Sequence, residues 1–186
     1  MSGQVPHAHR GTDLARLLLR TAIGGTMITH GVRHGRTLGG TAGWFQSIGF
    51  REPRLQAQLS AAVEIGAGAA LVAGAATPLA ASAVVGTMGV AARTVHLPNG
   101  FFVNSKGYEY VMNLAVASVA VAALGPGRWS VDAALGLDRR LTGRRAAALA
   151  AGLGLAGAAV QLATYWNRPA PASAVPGDET AEGGTG

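Results

Sequence analysis

The sequence predicts an all-helical integral membrane protein, its spans packed as a compact antiparallel bundle. Three observations predict this. Only 13% of the 186 residues are charged and 49% are hydrophobic, where a soluble domain carries about 25% charged residues. Apolar runs of about 17–22 residues recur, close to the roughly 20 needed to cross hydrocarbon. The charges collect at the ends of those runs, as topology determinants do, instead of forming one patch. That distribution argues against a nucleic-acid binder despite the net charge of +6. Of the 15 basic residues 14 are Arg, which with the Ala and Gly excess has the look of a GC-rich bacterial coding bias. The chain has no cysteine, which excludes disulfides, thiol redox chemistry, Cys-ligated metal or iron–sulfur sites and covalent c-type haem. No covalent cofactor is expected.

Residues 1–11 are polar and predict a disordered cytoplasmic lead. The first span, from about Leu14 to His30, is interrupted by Arg16 and Arg20, which near a helix end are expected to snorkel to the headgroups. Asp13, Arg16 and Arg20 share a helical face, so a local ion-pair network is expected. The charges in this run, and the lack of an A-x-A site after it, argue against a signal peptide. Residues 31–56 form a longer connection whose Trp44, Phe45, Ile48 and Phe50 suit a half-buried interfacial or re-entrant piece. The second span covers about Leu55 to Ala76 with Glu64 inside, and Thr77-Pro78 makes a tight turn. The third runs from about Leu79 to Leu97, with Arg93 and His96 near its end. A polar and aromatic hinge follows, "HLPNGFFVNSKGYEY" at 96–110, before a fourth span from about Tyr110 to Leu124. "GPGRWSVDAALGLDRRLTGRR" has the punctuation of an interfacial loop, with 136–145 its basic end. The fifth span, 146–166, holds no charge, and 167–186 predicts a disordered acidic tail.

Short links make spans two and three, and spans three and four, antiparallel neighbours. Gly66, Ala70, Gly86, Gly89, Gly154 and Ala158 offer small-residue faces for close packing. The Arg-rich loop after span four favours the N-terminus inside and the C-terminus outside. Arg33, Arg36, Arg51 and Arg54 in the first loop weigh against it.

Alternation of the spans brings His30, His96 and Glu109 to one membrane face. Arg93 lies one turn deeper than His96, and Asn113 one turn deeper than Glu109. Glu64 sits near mid-span, roughly 12 Å from that face at 1.5 Å per residue. Ionisable groups in a membrane mark functional sites by default, so these residues, with Asn99 and Tyr108, form a candidate polar pocket roofed by the first-loop aromatics, Phe101 and Phe102. Plainer readings stand beside it. Arg93 with Glu64 or Glu109 is equally a structural ion pair. His96 before Leu97-Pro98 also suits a helix C-cap, and the Trp44 segment a lipid anchor. His30 and His34 have a metal pair's i,i+4 spacing, but Gly31 and Gly35 argue against a regular helix there, and no metal is expected.

Several pieces together resemble the DoxX family of small bacterial membrane proteins: "HG" at 30–31, "GTAGWFQSIGF" at 40–50, "AAVEIGAGAALVAG" at 61–74, "TPLAA" at 77–81, "TVHLPNGFFVNSKGYEY" at 94–110 and "LGPGRWSVD" at 124–132. The resemblance covers about 14–135. It implies an antiparallel four-helix transmembrane bundle over 12–135, to which 146–166 adds a fifth C-terminal helix. His30, Glu64, His96, Asn99, Gly100, Tyr108 and Glu109 fall on the family's recurrent pattern, without assigned roles. The family's link to membrane redox and oxidative-stress systems implies an accessory subunit of the bacterial cytoplasmic membrane, in contact with the lipid bilayer and with a soluble or membrane oxidoreductase. In its sharpest form a quinone head enters the pocket, Arg93 and His96 bond its carbonyl oxygens, and Glu64 or Glu109 exchanges protons. The alternative is a non-catalytic scaffold, or a small-solute or lipid transport element, with a structural ion-pair cluster.

Overall fold

The computed structural model describes residues 7–138 and 142–169, and every regular element among them is a helix. In order these are α1 (His7–Arg36), α2 (Leu38–Ser47), α3 (Pro53–Ala73), α4 (Thr77–Ala91), α5 (Glu109–Leu124), the single turn α6 (Val131–Ala134) and α7 (Gly143–Tyr165). Beyond Ala91, α4 continues through one π turn, Ala92–His96, and a 3₁₀ turn, Leu97–Asn99. Three helical segments are long and apolar enough to cross a membrane: Pro53–Ala73, Thr77–Asn99 and Gly143–Tyr165. α5 is apolar but only 16 residues long. α1 has the length, 30 residues, but the Arg, His and Gly residues spread along it keep it outside that set.

α1 departs from its sequence reading at both ends. The helix reaches back to His7, and it runs on through Gly31 and Gly35 to Arg36, where a connection was expected. The physical reason is tertiary. A mid-helix glycine costs about 1 kcal/mol, but Gly31 lies so close to α3 that a Cβ there would sit 2.9 Å from the Ala61 carbonyl and from Glu64 Cβ. Trp44 and Phe45 of the first loop are likewise helical, in α2, while Phe50 lies beyond it and pairs with Trp166. The leading residues 1–6, Arg139–Leu141 and the tail from 170 lie outside the described residues.

The bundle is built by close contact of small residues. α1 packs along α3, and the two backbones cross at Gly24 and Gly68, where a Cβ on either would meet the other's carbonyl at 2.5–2.6 Å. α4 packs against α3, α5 and α7, with Gly86 on Gly154 and Gly89 on Ala158. Gly66, expected on a packing face, has nothing near its Cβ direction. The main core joins Ile23, Met27, Leu71, Val84 and Val121 from four helices. A second cluster sets Phe45 and Phe50 against Ala57, Val90 and Ala158, with Trp166 beside them.

Alternating directions define two ends. The hinge end gathers the end of α1, α2, the start of α3, the end of α4, the start of α5 and the end of α7. The loop end gathers the start of α1, the α3–α4 turn, α6 and the start of α7. At the loop end Asp132 crosses to the start of α4 and accepts hydrogen bonds from Ala76 N (2.8 Å), Thr77 N (3.0 Å) and Thr77 Oγ1 (3.0 Å). It thereby caps a helix that no side chain of its own caps. Arg20 does not snorkel outward. It is 1% exposed and donates to the Trp129 carbonyl at 2.6 Å, beneath the loop that follows α5. Asp13 and Arg16 do pair, at 3.1 Å.

Candidate functional site

Ser60 and Glu64 stand four residues apart on α3 and so share a helical face. That face is turned toward α1, and Glu64 is only 4% exposed. Ser60 Oγ donates to Glu64 Oε1 at 2.7 Å. His34 reaches across from α1, its Nδ1 3.2 Å from Ser60 Oγ and 3.3 Å from Glu64 Oε2. The contact to Oε2 lacks hydrogen-bond geometry, so that oxygen is buried without a hydrogen bond. Gly31, one turn before His34, leaves the room for α1 to approach the carboxylate. The exposed ring of His30 stands edge-on to His34 at 6.4 Å between centroids. The arrangement is a carboxylate withdrawn from solvent, with a hydroxyl and a half-buried imidazole as neighbours. Such a group can hold a proton or release it through the imidazole.

The other candidate residues occupy different settings. Arg93 is exposed and lies over the Trp166 ring, its guanidinium carbon 4.8 Å from the centroid, a cation–π contact. His96 Nδ1 is 2.7 Å from the Lys106 carbonyl. Asn99 Nδ2 donates to Val95 O at 2.8 Å. Glu109 Oε2 accepts from Val103 N at 3.0 Å. Tyr108 stands edge-on to Phe101 at 5.4 Å, and Asn113 is exposed. Among the described residues no hydrogen bond or ion pair joins Glu64 to Arg93, His96 or Glu109. The hinge is instead tied to itself. Gly107 N donates to Phe102 O (2.9 Å), Tyr108 N to Gly100 O (3.0 Å) and Glu109 N to Phe101 O (2.9 Å). A Cβ at Gly107 would come within 2.4 Å of the Gly100 carbonyl. Phe101 and Phe102, expected as a roof, are exposed and stand edge-on to each other. Among the described residues no group of three or more His, Cys, Asp or Glu is placed to hold a metal ion.

Ser60 and the role of His34 beside Glu64 escaped the sequence reading. The S-x-x-x-E spacing at 60–64 was the available signal. A second buried polar contact, Gln161 Nε2 to Gln56 Oε1 at 2.8 Å, ties α7 to α3 near the same end.

The DoxX family model matches residues 15–97. The chain carries a DoxX domain. The DoxX match takes in both walls of the carboxylate site, α1 with His34 and α3 with Ser60 and Glu64, and stops at the end of α4. The rest of the hinge, α5 and α7 lie beyond it. No curated protein and no solved structure matches the chain. The domain and its apolar helices make this a membrane protein in contact with lipid.

Proposed function

We propose that this DoxX-family protein spans the bacterial cytoplasmic membrane five times, α1, α3, α4 and α5 forming a four-helix core over 12–135 and α7 adding a fifth helix. In this reading the N-terminus is inside and the C-terminus outside. The protein is an accessory subunit of a quinone-linked redox or oxidative-stress system, and Glu64 is its proton-exchanging group. The observation that carries the reading is the near-complete burial of the Glu64 carboxylate beside His34 and Ser60, since ionisable groups at membrane depth are costly and are kept for a use. The chain encodes no thiol, so electrons come from a partner oxidoreductase. Arg93 and His96 are the candidate contacts for the quinone carbonyls. For either to meet a quinone, Arg93 must leave Trp166 or His96 must leave Lys106.

A second reading rests on the same contact: His34 and Glu64 join α1 to α3 and serve as a structural clamp. Native mass spectrometry of protein extracted from its own membranes, with quinone analysis, separates the two. The redox reading expects a stoichiometric quinone, and a Glu64→Gln protein that folds and keeps that quinone but loses quinone-coupled proton uptake. Bulk lipid alone, with Glu64→Gln causing only a loss of stability, sinks the redox reading and leaves the clamp.

A further inference from the structure

At the loop end, on the opposite side of the molecule from Glu64, a cleft of about 320 Å³ is lined by Arg16, Leu124, Gly125, Pro126, Gly127, Arg128, Asp138 and Thr142. Its donors are two guanidinium groups and the start of a long helix. Arg16 pairs with Asp13 through Nη1 at 3.1 Å, but its Nε is buried without a hydrogen bond. Arg128 is 71% exposed at its side chain and only loosely engaged, its Nε 3.8 Å from Asp13 Oδ2. Thr142 sits at the N-cap of the 23-residue α7 in extended conformation, yet its side chain makes no capping hydrogen bond. Among the described residues no side chain caps the first N–H groups of α7, and the helix presents the positive end of its dipole there. The loop is shaped to this cleft. Gly125 and Gly127 have φ of +78° and +79°. A Cβ at Gly127 would reach Arg16 Cδ at 3.0 Å, and one at Gly125 would reach Thr142 Cγ2 at 3.0 Å. Just beyond the cleft the same loop exposes Trp129, Val131 and Leu135, side chains suited to the membrane interface.

We propose that this cleft binds the phosphate group of an anionic phospholipid, held by Arg16, Arg128 and the start of α7, with the apolar loop residues against the lipid's glycerol and acyl region. The two cations are formally balanced by Asp138 and by Asp13, which is bonded to Arg16 and the Arg128 backbone, so an anion is held by the donors left over: the unbonded Arg16 Nε, the exposed Arg128 guanidinium and the start of α7. Phosphate at a helix N-terminus beside Arg is a recurring recognition geometry. The apolar neighbours favour a lipid over a free phosphate compound. This site is independent of the reading of Glu64.

The test is native mass spectrometry of full-length, detergent-purified protein titrated with phosphatidylglycerol, with phosphatidylcholine, and with glycerol 3-phosphate as the soluble arm. Phosphatidylglycerol is expected to bind in preference to phosphatidylcholine. Arg128→Gln should weaken it about tenfold, the size of one charge-assisted hydrogen bond. Asp138→Asn should strengthen it, a gain that misfolding cannot mimic. Arg33→Gln, at the hinge end, should leave it unchanged. Glycerol 3-phosphate that competes at low millimolar concentration, with the same dependence on Arg128, would overturn the lipid assignment in favour of a soluble phosphate ligand. Equal retention by wild type and Arg128→Gln, or equal loss in Arg33→Gln, would overturn the site itself.

Discussion

Asp132 accepts three hydrogen bonds from the start of α4 and lies near the buried Arg20 guanidinium, two of whose nitrogens have no hydrogen-bond partner. Removing its carboxylate strands Ala76 N and the Thr77 donors at once. A buried donor left unpaired costs about 1–3 kcal/mol, so Asp132→Ala should lower stability by at least about 2 kcal/mol. Thermal unfolding in detergent reads this directly, and Asp132→Asn, which keeps an acceptor, should lose less. At Glu64 the comparison has the opposite purpose. Glu64→Leu removes the partner of both Ser60 and His34, whereas Glu64→Gln keeps an acceptor for Ser60, so the Leu variant should be the less stable of the two. Equal stability would mean that Ser60 and His34 contribute nothing at this site. Glu64 was legible as a lone acid in an apolar run. Asp132 was not, because its partners lie more than fifty residues away and no local spacing announces a cap donated from another loop.

At the scale of helices, packing is set by where backbones touch. The Gly86–Gly154 and Gly89–Ala158 contacts were legible as small residues on clean apolar spans. Gly24–Gly68 was not, because the Arg and His residues along α1 break up the apolar pattern that marks a small-residue packing face. The two kinds of glycine on α3 provide a controlled comparison. Gly68→Val forces α1 off α3, since no space exists for a Cβ there, and should cost about 1–3 kcal/mol. Gly66→Val, two residues away, meets nothing and should be neutral or slightly stabilising. A similar loss from both in a thermal melt would contradict the assigned face of α3. The helix boundaries that the sequence missed, α1 past Gly31 and the helical α2, share one cause. Local propensity disfavoured helix there, and contact with α3 overrode it.

For the whole molecule the order of apolar runs was readable, and the side on which each end lies was not. Exposed basic residues crowd both ends, Arg33, Arg36, Arg51, Arg54 and Lys106 at one and Arg128, Arg144 and Arg145 at the other, so a charge count alone decides weakly. The lack of cysteine makes the matter simple to test. Ser105→Cys and Ala134→Cys flank α5 on exposed turns. In the proposed five-span arrangement a membrane-impermeant thiol reagent should reach Ser105→Cys from outside intact cells and Ala134→Cys only after the membrane is opened. Labelling of both from one side would show that α5 does not cross, a direct challenge because α5 has only 16 residues.

The π turn at Ala92–His96 amounts to one residue more than an α-helix needs to cover the same path. Each residue of an α-helix turns the chain by about 100°. Without the extra residue, the end of α4 would be wound about 100° away from its present setting. His96 would then no longer face the Lys106 carbonyl, and Arg93 could not keep its place over Trp166 while the hinge kept its own. The insertion therefore acts as a phase adjuster. It lets one continuous helix satisfy two neighbours, α7 on one side and the hinge on the other, whose demands differ by a fraction of a turn.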